Sequence, residues 1–130
     1  MIVNFITRMN RKARQILVAA LGVEAFGAKF IEDPKERVYR LLEETNELAQ
    51  AEGVSLERAL EISRYVYSRP AGDIHQEVGG VAVTLLAYCH SRGLNAYDLE
   101  TEEIKRFQRN GPEYYQKKLQ VKIAAGITML

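Results

Sequence analysis

Glu43, Glu44 and Glu47 fall within Arg-Leu-Leu-Glu-Glu-Thr-Asn-Glu, residues 40–47, and Glu77 opens a later, almost wholly apolar segment. On a helix the first three occupy two adjacent turns, where like charges three and four apart repel by about a few tenths of a kcal/mol per pair. A carboxylate in apolar surroundings needs a partner to offset its lost hydration. A divalent cation held between the two helices relieves both problems, and oxygen-only ligation is the chemistry of magnesium or manganese. The competing reading is a solvated helix face, with Arg37 and Arg40 paired to these glutamates at three- and four-residue spacing.

The elements that must position these groups are helical. Residues 2–21 carry apolar side chains at three- and four-residue spacing, and Gly22 and Gly27 break the pattern across 22–30. Asp33-Pro34 supplies an N-cap and a first-turn proline for a helix running to about residue 51, closed by Gly53. Its apolar stripe is Val38, Leu41, Leu42, Leu48 and Ala49, opposite the glutamates. Ser55 caps a third helix, 56–67, and 68–72 is a loop. Asp73, with Gln76 three residues on, caps a fourth helix ending near Ser91 before Gly93. Residues 95–107 form a shorter helix, Asn110-Gly111-Pro112 is a break, and 113–125 is a helical tail. No strand pattern and no internal repeat occurs, so the expected fold class is all-α.

The fourth helix bears no formal charge from 78 to 89 and is apolar on every side, the pattern of a helix buried all round. Gly80, Thr84 and Tyr88 share the Glu77 side as a narrow stripe of small or polar groups. Glu77 itself also fits as a carboxylate at a helix N-terminus. Each glycine within a helix costs about 1 kcal/mol against alanine. Gly79-Gly80 therefore implies close approach of a ligand or of another backbone.

Composition bounds the rest. A chain of 130 residues, 47% hydrophobic and 27% charged, is expected to be one domain with its own core. A net charge of +1 advertises no nucleic-acid footprint. The single cysteine, Cys89, excludes an intrachain disulfide and a cysteine zinc site. Asn4, Arg8, Asn10 and Arg11 interrupt any signal-peptide core, and no run reaches the length of a membrane span. Cytoplasmic residence is the expectation.

The Glu43-Glu44-x-x-Glu47 motif followed after a loop by Glu77 resembles the MazG-like all-α nucleoside triphosphate pyrophosphatases, whose pattern is Glu-Glu-x-x-Glu and then Glu-x-x-Asp. Residues 36–44, 65–72 (Tyr-Val-Tyr-Ser-Arg-Pro-Ala-Gly) and 76–85 (Gln-Glu-Val-Gly-Gly-Val-Ala-Val-Thr-Leu) look like a phage and prophage branch that includes the MazZ enzymes. The resemblance covers about residues 30–107, with helices 2–21 and 113–125 completing the bundle or its oligomer contacts. It implies hydrolysis of a (d)NTP between the α- and β-phosphates to monophosphate and pyrophosphate, with dGTP or dATP as the expected substrate. It also implies magnesium or manganese, more than one ion, and a homodimer or homotetramer.

By the same resemblance Glu44, Glu47 and Glu77 are metal ligands, and Glu43 is a further ligand or positions the attacking water. The family's final aspartate falls on Gly80, so one carboxylate is missing; Asp73 and Asp98 are the candidates to replace it. That departure keeps a second expectation open, a non-catalytic nucleotide- or protein-binding module. Remaining phosphate charge is assigned to Arg69 and Arg40, then Lys105 and Arg109. A base slot could draw on Phe26, Phe30, Tyr65, Tyr67 or Tyr88, with no member singled out. His75 reads as an exposed helix-start residue, Cys89 and His90 as packing groups, and the lysine-bearing tail as an amphipathic packing helix.

Overall fold

The computed structural model describes residues 2–128; Met1 and the last two residues of the expected tail, Met129 and Leu130, lie outside the described residues. Seven helices run in order: α1 (Ile2–Arg8), α2 (Arg11–Phe26), α3 (Ala28–Glu32), α4 (Pro34–Ala51), α5 (Leu56–Tyr67), α6 (Ile74–Ser91) and α7 (Ala96–Ala124). No strand occurs among the described residues, so the chain is all-α.

The starts follow from side-chain capping. Asn10, Ser55, Asp73 and Asn95 each accept a hydrogen bond from the backbone N–H three residues on, at Ala13, Arg58, Gln76 and Asp98. Asp33 does the same for Glu36 ahead of Pro34. α4 and α6 end alike. Gly53 and Gly93 turn at φ of 84° and 67°, and the Val54 and Leu94 N–H groups close back on the Ala49 and Cys89 carbonyls at 2.9 and 2.8 Å.

Two boundaries differ from the sequence expectation. The helix expected over 2–21 is two helices, because Asn10 caps a new start and the chain leaves the helix at Met9–Asn10. α2 then passes through Gly22, where a Cβ would collide with the Ile31 side chain of α3, and turns only at Gly27, with φ of 87°. Gly22 is a packing glycine and not a breaker. Further on, the interruption at 110–112 is present: Gly111 adopts φ 76°, ψ 169° within α7, next to Pro112.

The described chain divides into two units. The first holds α1, α2, α3, the start of α4 to Tyr39, and everything from Asn95 onward; the second is Arg40–Leu94. In the first, α2 packs on α7 and on α3, and α1 packs on α7. Ile6, Ala25 and Ile104 are buried there, and Phe107 stacks on Tyr115 at 4.5 Å with Phe26 edge-on to both.

Arg14 organises this unit. It is 2% exposed, and its guanidinium lies 3.7 Å over the Tyr97 ring. It donates to the Ile6 and Tyr97 carbonyls, to Thr101 Oγ1 and to Glu100 at 3.0 Å. The Tyr97 hydroxyl in turn donates to the Thr7 and Met9 carbonyls, both at 2.7 Å, satisfying the open end of α1.

In the second unit the apolar residues stay in water. α6 was expected to be buried all round, but Val78, Val81, Val83, Leu85 and Leu86 are 46–65% exposed, and Cys89 alone in α6 is buried. The correction has a simple physical reason: neither α4 nor α5 packs along α6 within one chain. No described helix is long and apolar enough to cross a membrane.

Arg14→Ala should destabilise the chain by about 3–5 kcal/mol, because buried carbonyls and a carboxylate lose their shared cation. Urea unfolding followed by circular dichroism measures this, and Arg11→Ala, altering an exposed pair with Glu100, should cost less than about 1 kcal/mol.

Candidate functional site

All four glutamates singled out by the sequence belong to the second unit, three on α4 and one in the first turn of α6. Capping by Asp33 and Asp73 fixes where each helix begins and therefore the angular position of each carboxylate. Arg40 Nη1 donates to Glu43 Oε2 at 2.7 Å, with both side chains largely covered. This is the three-residue pairing of the solvated-face reading, and it holds Glu43 against its own helix. Glu44, Glu47 and Glu77 are exposed. The Glu77 carboxylate folds over Gly72 of the preceding loop, where any Cβ would collide with it. Gly72 is thus the berth of the Glu77 side chain.

Four carboxylates are a donor set of the right chemical kind for magnesium or manganese. Their arrangement is another matter. Among the described residues of one chain, no three His, Cys, Asp or Glu side chains converge so as to hold a metal ion. Asp73 Oδ1 accepts from the Gln76 N–H and lies 3.6 Å from His75 Nδ1. Asp98 belongs to the first unit. A Cβ at Gly79 or Gly80 would meet nothing within 4 Å, so the close approach inferred from this pair has no source within one chain.

The basic candidates are dispersed. Arg69, in the α5–α6 loop, lies 4.6 Å from the Tyr65 ring. Lys105 and Arg109 are on α7 in the first unit, where Lys105 pairs with Glu102 at 3.0 Å. Of the aromatic candidates, Phe26 belongs to the ring cluster of the first unit, while Tyr65 and Tyr67 are exposed on α5. His75 is exposed at the start of α6 and Cys89 is buried, as expected, whereas His90, expected to pack, is exposed because nothing among the described residues covers its side of α6.

Tyr88 is engaged elsewhere. Its hydroxyl donates to Glu52 Oε2 at 2.5 Å, and Arg92 Nε donates to the same oxygen at 3.0 Å. Glu52 follows α4 directly, so this cluster joins the C-terminal ends of α4 and α6. Sequence reasoning passed over it, although one signal was available: Glu52 and Arg92 each stand immediately before a helix-ending glycine. The Tyr88 hydrogen bond, the largest influence, overcomes desolvation with help from attraction to and a hydrogen bond from Arg92, and holds the Glu52 carboxyl below the usual carboxylate range. Arg92 is pushed up correspondingly.

No family model, no curated protein and no solved structure matches this chain.

A carboxyl depressed in the folded state adds stability above its unfolded pKa, and that contribution disappears as pH falls through the folded value. Carboxyl-carbon NMR titration should therefore place the Glu52 midpoint below that of an unstructured glutamate. Tyr88→Phe should move it upward, since the first cause of the shift is removed.

Proposed function

We propose that this chain is a metal-dependent nucleotide pyrophosphohydrolase of the MazG-like type, acting on a (d)NTP, with dGTP or dATP as preferred substrate, in the cytoplasm. The observation that carries this reading is the confinement of Glu43, Glu44, Glu47 and Glu77 to two helices of a single unit, with Gly72 making room for the Glu77 carboxylate. Glu44, Glu47 and Glu77 would hold magnesium or manganese. When bound, such ions neutralise phosphate charge and lower the pKa of a bound water. Glu43, kept in place by Arg40, orients the attacking water. The water oxygen bonds to the α-phosphorus as the bond from that phosphorus to the α,β-bridging oxygen breaks, releasing monophosphate and pyrophosphate. Arg69 is the first candidate to neutralise the leaving pyrophosphate, with Arg40 behind it.

The same reading requires a second copy of the chain. α5 and α6 leave large apolar residues in water, among them Leu56, Ile62, Val66, Val78 and Val83, and clustered exposure of this kind marks an association surface. An uncharged face is covered at least cost by another uncharged face, and a second copy supplies one. Its approach also gives the glutamate face of α4 an interior cleft to line and places a backbone against Gly79 and Gly80.

A second reading rests on Gly80 standing where the family pattern has aspartate. A chain short of one carboxylate can bind a nucleotide or a protein without hydrolysing anything.

With each dNTP and manganese the protein should release pyrophosphate and not orthophosphate, and Glu47→Ala should lower the rate at least about a hundredfold. Absence of turnover, combined with nucleotide- and metal-dependent thermal stabilisation, would instead establish the binding module. In sedimentation equilibrium the mass should be a multiple of 14.8 kDa. Val81→Glu combined with Leu85→Glu should shift it to the monomer and abolish pyrophosphate release.

A further inference from the structure

The cluster of Glu52, Tyr88 and Arg92 serves no purpose in the chemistry above. It nevertheless joins segments 36 and 40 positions apart, whereas Arg40–Glu43 and Arg58–Glu61 in the same unit are three-residue pairs within one helix. Its place is mechanically significant. Both helices that carry the glutamates end here, each in the same glycine closure, at Gly53 and Gly93. Beyond this point α4 and α6 share little backbone contact. Within one chain, their angle is therefore governed where they meet.

The lever is long. Glu77 is eleven residues from Tyr88, and Glu44 eight from Glu52; at 1.5 Å per residue these arms are about 16 and 12 Å. A change of about 10° at the junction moves a carboxylate on the longer arm by about 3 Å. Metal–ligand distances tolerate about 0.2 Å. A single oxygen, Glu52 Oε2, receives both hydrogen bonds, so the hydroxyl from one turn of α6 and the guanidinium from the next fix its position from two directions.

We propose that Glu52, gripped by Tyr88 and Arg92, is a positioning residue that sets the separation of the carboxylate-bearing segments of α4 and α6. Its functional consequence rests on the metal-site reading above, but the geometry it controls can be measured separately. The groups facing Glu52 are Tyr88 of α6 and Arg92, the residue that follows that helix.

The test places nitroxide labels at Asn46→Cys and Gln76→Cys, both exposed positions, in a Cys89→Ala background diluted with unlabelled chain, and measures their separation by pulsed dipolar spectroscopy. Otherwise unaltered protein should give one narrow distance distribution. Tyr88→Phe and Glu52→Gln should each broaden it at least twofold at unchanged helix content, and Glu52→Asp should give a narrower distribution than Glu52→Gln. Distributions that stay narrow in both Tyr88→Phe and Glu52→Gln overturn the proposal. Manganese titration by electron paramagnetic resonance on the same samples should show affinity falling at least tenfold in both variants. If the unaltered protein binds no manganese while the distances still broaden, the metal-site reading fails and the positioning role stands.

Discussion

Apolar surface that one chain leaves in water is the constraint on which the second unit depends. Burying a valine or leucine side chain fully is worth about 1.5–3 kcal/mol, and α5 and α6 together expose many such residues. Helices of this length do not stand by propensity alone: α5 has 12 residues, and isolated helices shorter than about 12–15 are marginal in water. Association costs about 4–15 kcal/mol in lost freedom, which apolar burial contributed by both copies has to exceed. The first unit has an internal core in Arg14, the ring cluster and the packing of Ile31 on Gly22, although it too leaves Phe5, Ile16 and Val121 in water.

The proposed second copy and the proposed metal site are linked by geometry. α4 has an apolar stripe, which is exposed in one chain, and a charged face bearing the glutamates. If a neighbouring copy packs over the charged face, carboxylate repulsion grows there as the dielectric falls. Arg40 answers only part of that charge, through Glu43. Divalent ions supply further countercharge compactly. Covering that face thus raises the need for the cation, a demand that does not arise in a chain left fully solvated.

The helices of the second unit were legible from short-range signals. Asp33-Pro34, Ser55 and Asp73 announce starts, Gly53 and Gly93 announce ends, and all five act through bonds spanning a few residues. Gly22 misled because a helical glycine that receives Ile31 is identical in sequence to one that breaks a helix; only the partner distinguishes them. Asn10 was passed over because the apolar period continues through it. The candidate glutamates could be placed on their helices, yet their convergence could not be read, since it depends on contacts between helices that no local pattern encodes. Glu52 and Tyr88 were missed for the same reason, being 36 residues apart.

Gly79 and Gly80 bring these threads together. Two mid-helix glycines cost about 2 kcal/mol against alanines, and within one chain nothing approaches their missing side chains. The cost needs an offset, and the unoccupied space shows that intrachain packing does not provide it. Gly80 lies on the same side of α6 as Glu77, at the place where the MazG-like pattern that the sequence resembles has an aspartate. Removing that carboxylate lowers the negative charge to be compensated and admits a backbone or a ligand at van der Waals distance. If a backbone enters, the small residues let the apolar face of α6 meet its copy closely, which strengthens the assembly as it removes a ligand. If a nucleotide enters, the glycines form the floor beneath it, and three glutamates on α4 with one on α6 carry the cations alone. In both cases the glycines have a function only in the assembled or liganded state, as do the bare apolar residues beside them.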